Sequence, residues 1–246
     1  MVNIFIYEPG VGMDIDLVIL TYNEVDGLKH YLPLIVQMAT DNAIRRVFSV
    51  DGGSTDGSLE LYRQQGMPYV VQDKKGRGEA FKLAFRHSDA EALIFFSPDG
   101  NEDITDIKPL IHLLEKGAEM VIASRMMKGA HNEEDEQFWR WRKWVNQLFT
   151  LAANLFWNRS GVYVTDAING FRGIRRSTWE ALRVDASDYA VEYQSTIRAL
   201  KRRRRIAEWP TYESPRIGGE SYAKSWPTGV RFIKLLLHEL LMGRRF

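Results

Sequence analysis

The sequence predicts an α/β fold, a mostly parallel sheet flanked by helices with a C-terminal helical extension. Two observations carry that expectation. Short apolar, β-branched runs alternate with segments of helical period through the first half of the chain. The main runs also leave into polar, Gly-rich turns, where open α/β sheets bind their ligands.

Taken in order, Ile15 to Leu20 reads as a strand, Val25 to Ala39 as a helix and Arg46 to Val50 as a strand. Asp56 to Gln65 is helical, Tyr69 to Val71 a short strand, Arg77 to His87 a helix and Ala92 to Phe96 a strong strand. Ile104 to Glu115 is a helix and Met120 to Ala123 a strand. The second half differs. Lys128 to Glu136 is a polar, acidic loop, and Gln137 to Trp157 a long helix rich in aromatic residues. A turn over Asp166 to Arg172 precedes a short strand and helix. Tyr189 to Arg203 reads as a helix, Arg205 to Trp209 as a strand, Tyr212 to Trp226 as a loop and Thr228 to Met242 as a terminal helix. The expected division is an N-terminal extension over 1–14, a main domain over 15–226 and a C-terminal amphipathic helix over 227–246.

At 246 residues the chain is long enough for one large domain with a substantial core. A net charge of +1 gives no case for nucleic-acid binding. The absence of cysteine excludes disulfides and thiolate zinc sites, leaving oxygen and imidazole as metal ligands. Met1 to Gly12 lacks the basic start of a signal peptide, and no apolar run reaches the roughly 20 residues that cross a bilayer. The expectation is a cytoplasmic protein that touches a membrane peripherally.

The chemistry-bearing residues sit in the turns. Asp99 and Asn101 follow the strongest strand, where side chains two apart can share a hard divalent ion such as Mg²⁺ or Mn²⁺. An ordinary Asp-Gly turn would look the same. In the segment Asp51-Gly52-Gly53-Ser54-Thr55-Asp56-Gly57, Asp51 can accept from a nucleobase edge while Asp56 caps the next helix. Gly76-Arg77-Gly78 opens a helix whose N-terminus favours anions. It is not a dinucleotide fingerprint, because Phe81 holds the third glycine position. In Thr21-Tyr22-Asn23-Glu24, Tyr22 can stack on a base and Glu24 can accept from base or ribose, or merely favour the helix dipole.

Taken together from Ile15 to about Lys224, these segments resemble family 2 glycosyltransferases, the large family that includes the dolichyl- and polyprenyl-phosphate sugar synthases. Tyr22-Asn23-Glu24 matches its opening tyrosine-asparagine-glutamate, and Val50-Asp51 through Asp56-Gly57 its acidic glycine-serine turn, with Gly52 replacing the usual second aspartate. Gly76-Arg77-Gly78-Glu79-Ala80, Ser124-Arg125, and Asp166 with Asn169-Gly170-Phe171-Arg172 are similar to its later segments. The resemblance implies the GT-A fold, a nucleotide-diphosphate sugar donor and a divalent metal. It places base and ribose on Tyr22, Glu24 and Asp51, with Thr21 and Gly53 beside them, and makes Asp99 and Asn101 the metal ligands. Ser97 departs from the pattern, standing where the first aspartate of the family's Asp-x-Asp motif belongs. Loss of that carboxylate should weaken the metal, with Arg77 and Arg125 as partial replacements.

The implied reaction is inverting transfer of a hexose-type sugar to a polyprenyl phosphate or a cell-envelope glycan. A lipid-phosphate acceptor is already anionic and needs cations; Arg125, Arg172, Arg216 and Lys224 are candidates, with Ser221 in the same acceptor loop. A hydroxyl acceptor needs a base instead, either Asp166 or Glu192. Aromatic and basic residues over Gln137 to Trp157, and Phe232 to Leu241 before Arg244 and Arg245, suit a headgroup interface, packing against the sheet, or a homodimer. Two other readings remain open here: a catalytically silent nucleotide-sugar binder, and a sugar nucleotidyltransferase. The latter's glycine-rich basic loop should follow the first strand, where Tyr22-Asn23-Glu24 stands.

Overall fold

The structure, a computed structural model, describes residues 12–42, 44–136, 140–159, 161–217 and 225–246, with only the backbone given for 225–228. Strand β1 (Ile15–Thr21) leads to helix α1 (Val25–Asp41), and β2 (Arg46–Asp51) to α2 (Ser58–Gln65). Then come β3 (Tyr69–Val71), α3 (Arg77–His87), β4 (Ala92–Phe96), a short 3₁₀ turn (Ile104–Asp106), α4 (Ile107–Glu115) and β5 (Met120–Ser124). The second half supplies α5 (Trp141–Trp157), β6 (Arg172–Arg175), α6 (Arg176–Leu182), α7 (Val191–Lys201), β7 (Ile206–Pro210) and α8 (Ser225–Met242).

The strands form one sheet in the order β3-β2-β1-β4-β6-β5-β7. All neighbouring pairs are parallel except the two made by β6, which lies antiparallel between β4 and β5. Buried strands alternate their side chains between two helical layers, since successive residues point to opposite faces. In register across the sheet, Phe48, Val18 and Phe95 form one row, and all three belong to the core under α3, α5 and α7. Leu17, Ile19 and Ile94 serve the opposite core under α1 and α4. The first row continues through Arg172 to Ile122, so a guanidinium enters the sheet where an apolar side chain would be expected.

Helix boundaries moved by small steps for local reasons. Asp56 does not begin α2; its carboxylate accepts from the Ser58 amide at 3.0 Å and hydroxyl, and the helix starts there. The expected helix from Ile104 begins as a 3₁₀ turn, capped by Asp103 accepting from the Thr105 amide at 2.9 Å. α8 is tied to α7 by buried charge. The fully buried Glu239 accepts from Arg198 at 2.8 Å and from Lys201 at 2.6 Å. Lys201 is therefore buried, unlike the exposed Arg202 and Arg203 that follow it.

Phe81 stacks on Phe95 with ring centroids 3.8 Å apart, and both are fully buried. Phe81→Ala should cost about 3–5 kcal/mol, measured as a lowered urea midpoint with an unchanged m-value.

Candidate active site

The carboxyl ends of β1 and β2 are stitched to each other. Asp51 is fully buried and accepts four hydrogen bonds: Thr21 Oγ1 at 3.0 Å, the Gly53 amide at 2.8 Å, the Ser54 amide at 2.7 Å and Ser54 Oγ at 2.8 Å. Asn23 accepts from the Thr55 amide and donates its own amide to Ser54, and Asp56 accepts from the Val25 amide. With its four acceptor directions taken by neighbours, Asp51 holds the shape of the double turn and presents no free oxygen. Gly53, at φ +83°, is part of that turn. Tyr22 lies outside it, with its ring against Gly52, where a Cβ would come within 3.1 Å. Lys75 donates to the Tyr22 hydroxyl at 3.1 Å.

Gly76 and Gly78 are each required by the protein's own packing. A Cβ at either would come within 2.2 Å of a backbone oxygen, Ser187 for Gly76 and Ala186 for Gly78. Arg77 between them pairs with Glu192, which is almost fully buried at the start of α7. Arg172, expected to face the acceptor, is fully buried instead. It donates to the carbonyls of Asn169 at 2.7 Å and Glu192 at 2.9 Å and to the hydroxyls of Ser195 and Thr196. Burial pushes its pKa down to about 10, with Glu192 opposing that. Its place in the apolar row of the sheet makes it a clamp between the 167–169 turn and α7.

Arg125 and Asp166 form a second buried pair. Arg125 donates through Nε at 2.7 Å, Nη2 at 3.1 Å and its backbone amide at 3.2 Å. Asp166 also accepts from the amides of Ile168 and Asn169. Although burial works against it, the Arg125 guanidinium and these donors hold the Asp166 carboxyl below its usual range. Asp166 is therefore an ionised anchor with little basicity, and Glu192 is neutralised by Arg77. Neither stands as an unpaired base.

The turn after β4 carries the most concentrated charge. Arg216 donates to Asp99 at 2.7 Å and to Glu24 at 2.8 Å, so one guanidinium bridges carboxylates from two strand ends. Burial pushes the Glu24 carboxyl up to about 7; Arg216 pulls it down and Asp99 pushes it further up. Glu102 turns back to accept the Ser97 amide at 2.7 Å. Burial, reinforced by Asp99, raises its carboxyl well above the ordinary range. Asn101, expected beside Asp99, directs its amide to the Ser214 carbonyl at 2.8 Å. The Asn101 backbone amide does donate to Asp99 at 3.1 Å, but the side chain that shares a cation with Asp99 is Glu24, from the end of another strand.

These elements surround a cleft of ≈ 850 Å³ at the carboxyl edge of the sheet, a size that suits a nucleotide ligand. Thr21, Tyr22, Glu24, Gly76, Arg77 and Asp99 line one part of it, and Asn101, Arg125, Glu192 and Arg216 the other. Asp51, Gly53, Gly78, Asp166 and Arg172 support these walls from behind. Ser221 and Lys224 lie outside the described residues. Glu102 and Glu213, both on the lining, were not anticipated. Glu213 accepts from Asn132 at 2.7 Å and faces Arg125 at 3.5 Å. Glu213 is placed by a loop returning from elsewhere, which no spacing rule marks, whereas Glu102 lies in the turn after β4 itself, one residue beyond Asn101.

Among the described residues, no group of three or more acidic or histidine side chains is arranged to hold a metal. The Glu24–Asp99 pair nevertheless already shares one cation, the Arg216 guanidinium, and is an oxygen donor set of the kind Mg²⁺ and Mn²⁺ use with substrate phosphates.

The fold and cleft define the class first: a nucleotide-diphospho-sugar transferase fold of the GT-A type. The model of Glycosyl transferase family 2 matches residues 16–182, and the chain belongs to that family. Among curated relatives, it is 26% identical to glycosyltransferase AglJ of Haloferax volcanii over 81% of this chain and 62% of that protein. It is 26% identical to the dolichyl-phosphate hexose transferase of the same organism over 93% and 96%, and to the polyprenol monophosphomannose synthase of Mycolicibacterium smegmatis over 79% and 75%. AglJ and another relative from the same organism, the low-salt glycan biosynthesis hexosyltransferase Agl6, are longer; the chain spans only 62% and 54% of them. Among solved structures, glucosyl-3-phosphoglycerate synthase of Mycobacterium tuberculosis, in complex with phosphoglyceric acid, superposes with a TM-score of 0.72 at 17% identity, covering 92% of this chain and 80% of that one. A complex of the same protein with Mn²⁺, uridine diphosphate and phosphoglyceric acid gives 0.70 at 17%, covering 96% and 80%.

Asp166→Asn leaves the half-buried Arg125 with only Glu213, at 3.5 Å, as counter-charge and should cost about 3 kcal/mol, read by urea unfolding at pH 7. Because folding lowers the pKa of Asp166 below its ordinary 3.8, its ionised form is the favoured one. Its contribution is full above about pH 4 and is lost as pH falls through the folded value. The stability gap between wild type and Asp166→Asn should therefore shrink on acidification.

Proposed function

We propose that this chain is a metal-dependent, inverting glycosyltransferase that moves a hexose-type sugar from a nucleotide-diphosphate sugar to a polyprenyl phosphate. The observation that carries the reading is the convergence of Glu24 and Asp99 on one cation at the mouth of a nucleotide-sized cleft. A divalent ion bound there neutralises the departing diphosphate. Tyr22 offers a face on which a base stacks, beside the double turn that Asp51 holds in shape. Arg77 stands at the start of α3, where the helix dipole also favours phosphate.

The surroundings of the cleft support the choice of acceptor. Asp166 and Glu192, the two carboxylates considered as bases, are held by Arg125 and Arg77. A hydroxyl nucleophile would need a proton removed, whereas a phosphate oxygen arrives anionic and needs cations. Arg125 and Arg216 line the cleft and serve that need. Relatives named for dolichyl-phosphate and polyprenol-phosphate substrates support the same choice.

A lipid acceptor also requires a surface. On α5, Trp141, Trp144, Leu148, Leu151 and Leu155 are exposed at alternating spacings of three and four, which places them on one stripe. Phe149 on the opposite side packs edge-on against Phe232 of α8 at 5.3 Å, and α8 exposes Val230, Ile233, Leu237 and Leu240 in the same rhythm. Arg244 and Arg245, exposed at the end of the chain, add positive charge. Arg142 and Lys143, by contrast, are consumed by Glu133, Glu134 and Asp135. Among the described residues, no helix is long and apolar enough to cross a membrane, so the stripe is proposed to lie in the interface.

Asp99→Ala should abolish the Mn²⁺-dependent part of the thermal shift given by UDP or GDP and lower sugar transfer to polyprenyl phosphate by roughly 100-fold or more. A metal-dependent shift that survives the substitution contradicts the site. Replacing Leu151 and Leu155 together by Glu should abolish co-sedimentation with anionic phospholipid vesicles while leaving nucleotide binding intact. Undiminished sedimentation removes the interfacial role of α5.

A further inference from the structure

We propose that Arg216 is a resident counter-cation. It occupies the cation position between Glu24 and Asp99 until a divalent ion arrives with the nucleotide, and its release then supplies a free guanidinium to the acceptor's phosphate. The inference rests on the metal-dependent reading above and adds an order of events to it: donor first, acceptor second.

The seat of Arg216 is specific. Its two terminal nitrogens are divided between Asp99 at 2.7 Å and Glu24 at 2.8 Å. The loop that carries it lies on the turn after β4. The Ile217 amide donates to the Asp99 carbonyl at 2.9 Å and the Ser214 amide to the Asn101 carbonyl at 3.0 Å. Gly100, at φ +101°, lets that loop approach so closely that a Cβ would meet the Ile217 nitrogen at 2.6 Å.

The seat is also imperfect. Nε of Arg216 is buried with no hydrogen-bond partner, and an unmet buried donor opposes the bound state. Release to phosphate or water relieves it. A guanidinium and a divalent ion cannot share one carboxylate pair, because like charges a few ångströms apart in a partly desolvated cleft repel strongly. Binding of one expels the other, and the coupling is reciprocal. Expulsion does not send Arg216 far. It lines the cleft, as Arg125 does. A planar guanidinium released there suits bidentate contact with a phosphate monoester. Before the donor binds, that guanidinium is spent on carboxylates, so the acceptor finds no complete site.

Mn²⁺ binding to the purified chain, followed by the electron paramagnetic resonance of the free ion, tests this directly. Arg216→Gln should bind Mn²⁺ about tenfold more tightly than wild type, and Arg216→Lys should lie between them. Equal or weaker binding by Arg216→Gln overturns the inference. A second measurement needs no variant. Hydrogen exchange at the Ile217 amide should speed up when UDP or GDP is added with Mn²⁺, and not with the nucleotide alone; exchange unaltered by Mn²⁺ also overturns it. Mn²⁺ affinity that Asp99→Ala leaves untouched is a different result, since it sinks the metal-site reading itself.

Discussion

Glu24, Asp99 and Glu102 meet at the carboxyl edge of the sheet, with Asp166 and Glu192 close behind them. Buried carboxylates repel one another and resist losing water, so such a group folds only with cations or donors set between its members. Arg216 answers Glu24 and Asp99, Arg77 answers Glu192, and Arg125 answers Asp166. Among the described residues no guanidinium is hydrogen-bonded to Glu102, although Arg77 acts on it from a distance. Glu102 takes a backbone amide instead and is pushed toward its protonated form. The cleft is the place where this balance is left adjustable, because the cation that satisfies Glu24 and Asp99 comes from a loop rather than from the sheet.

The sheet makes that concentration affordable. Its parallel strands end at one edge, and helices on both faces exclude water from everything behind it. Two apolar cores carry the stability, so the edge can hold charge that contributes little or opposes folding. Arg172 shows how far this separation goes. It sits in register with Phe95 and Ile122 inside the apolar layer, yet every nitrogen finds an oxygen, mostly from backbone turns. The result is a rigid junction between the 166–172 turn and α7, against which Glu192 and Arg77 are set.

Binding sugar nucleotide and handling a lipid phosphate, as proposed, would place opposite demands on one chain. The first needs a polar, closed cleft, and the second an apolar face in contact with the acyl region. The two are built on different halves of the protein. β1 to β4 supply the polar turns, while α5 and α8 supply the exposed stripes and share the Phe149–Phe232 contact beneath them. Arg216 lies on the loop between β7 and α8, and so ties that loop to Glu24 and Asp99 at the strand ends.

The sequence by itself determined most of the elements and the family. Alternating periods placed β1 through β4 within a residue or two, since strand and helix periodicity are local properties of the chain. It also marked Glu24, Arg77, Asp99 and Arg125 as residues of the cleft, because polar side chains at strand exits have only one edge to occupy. The tertiary structure decided the pairings. Nothing local says that β6 runs antiparallel, for four residues of Arg-Gly-Ile-Arg carry no direction until a ladder receives them. Nor could spacing show that Asp51 and Arg172 are satisfied internally, that Gly76 and Gly78 make room for the 186–187 backbone, or that Glu24 rather than Asn101 shares a cation with Asp99. Each of those depends on atoms brought together from distant positions, and hydrogen bonds and ion pairs are decided by distance in space, not by separation along the chain.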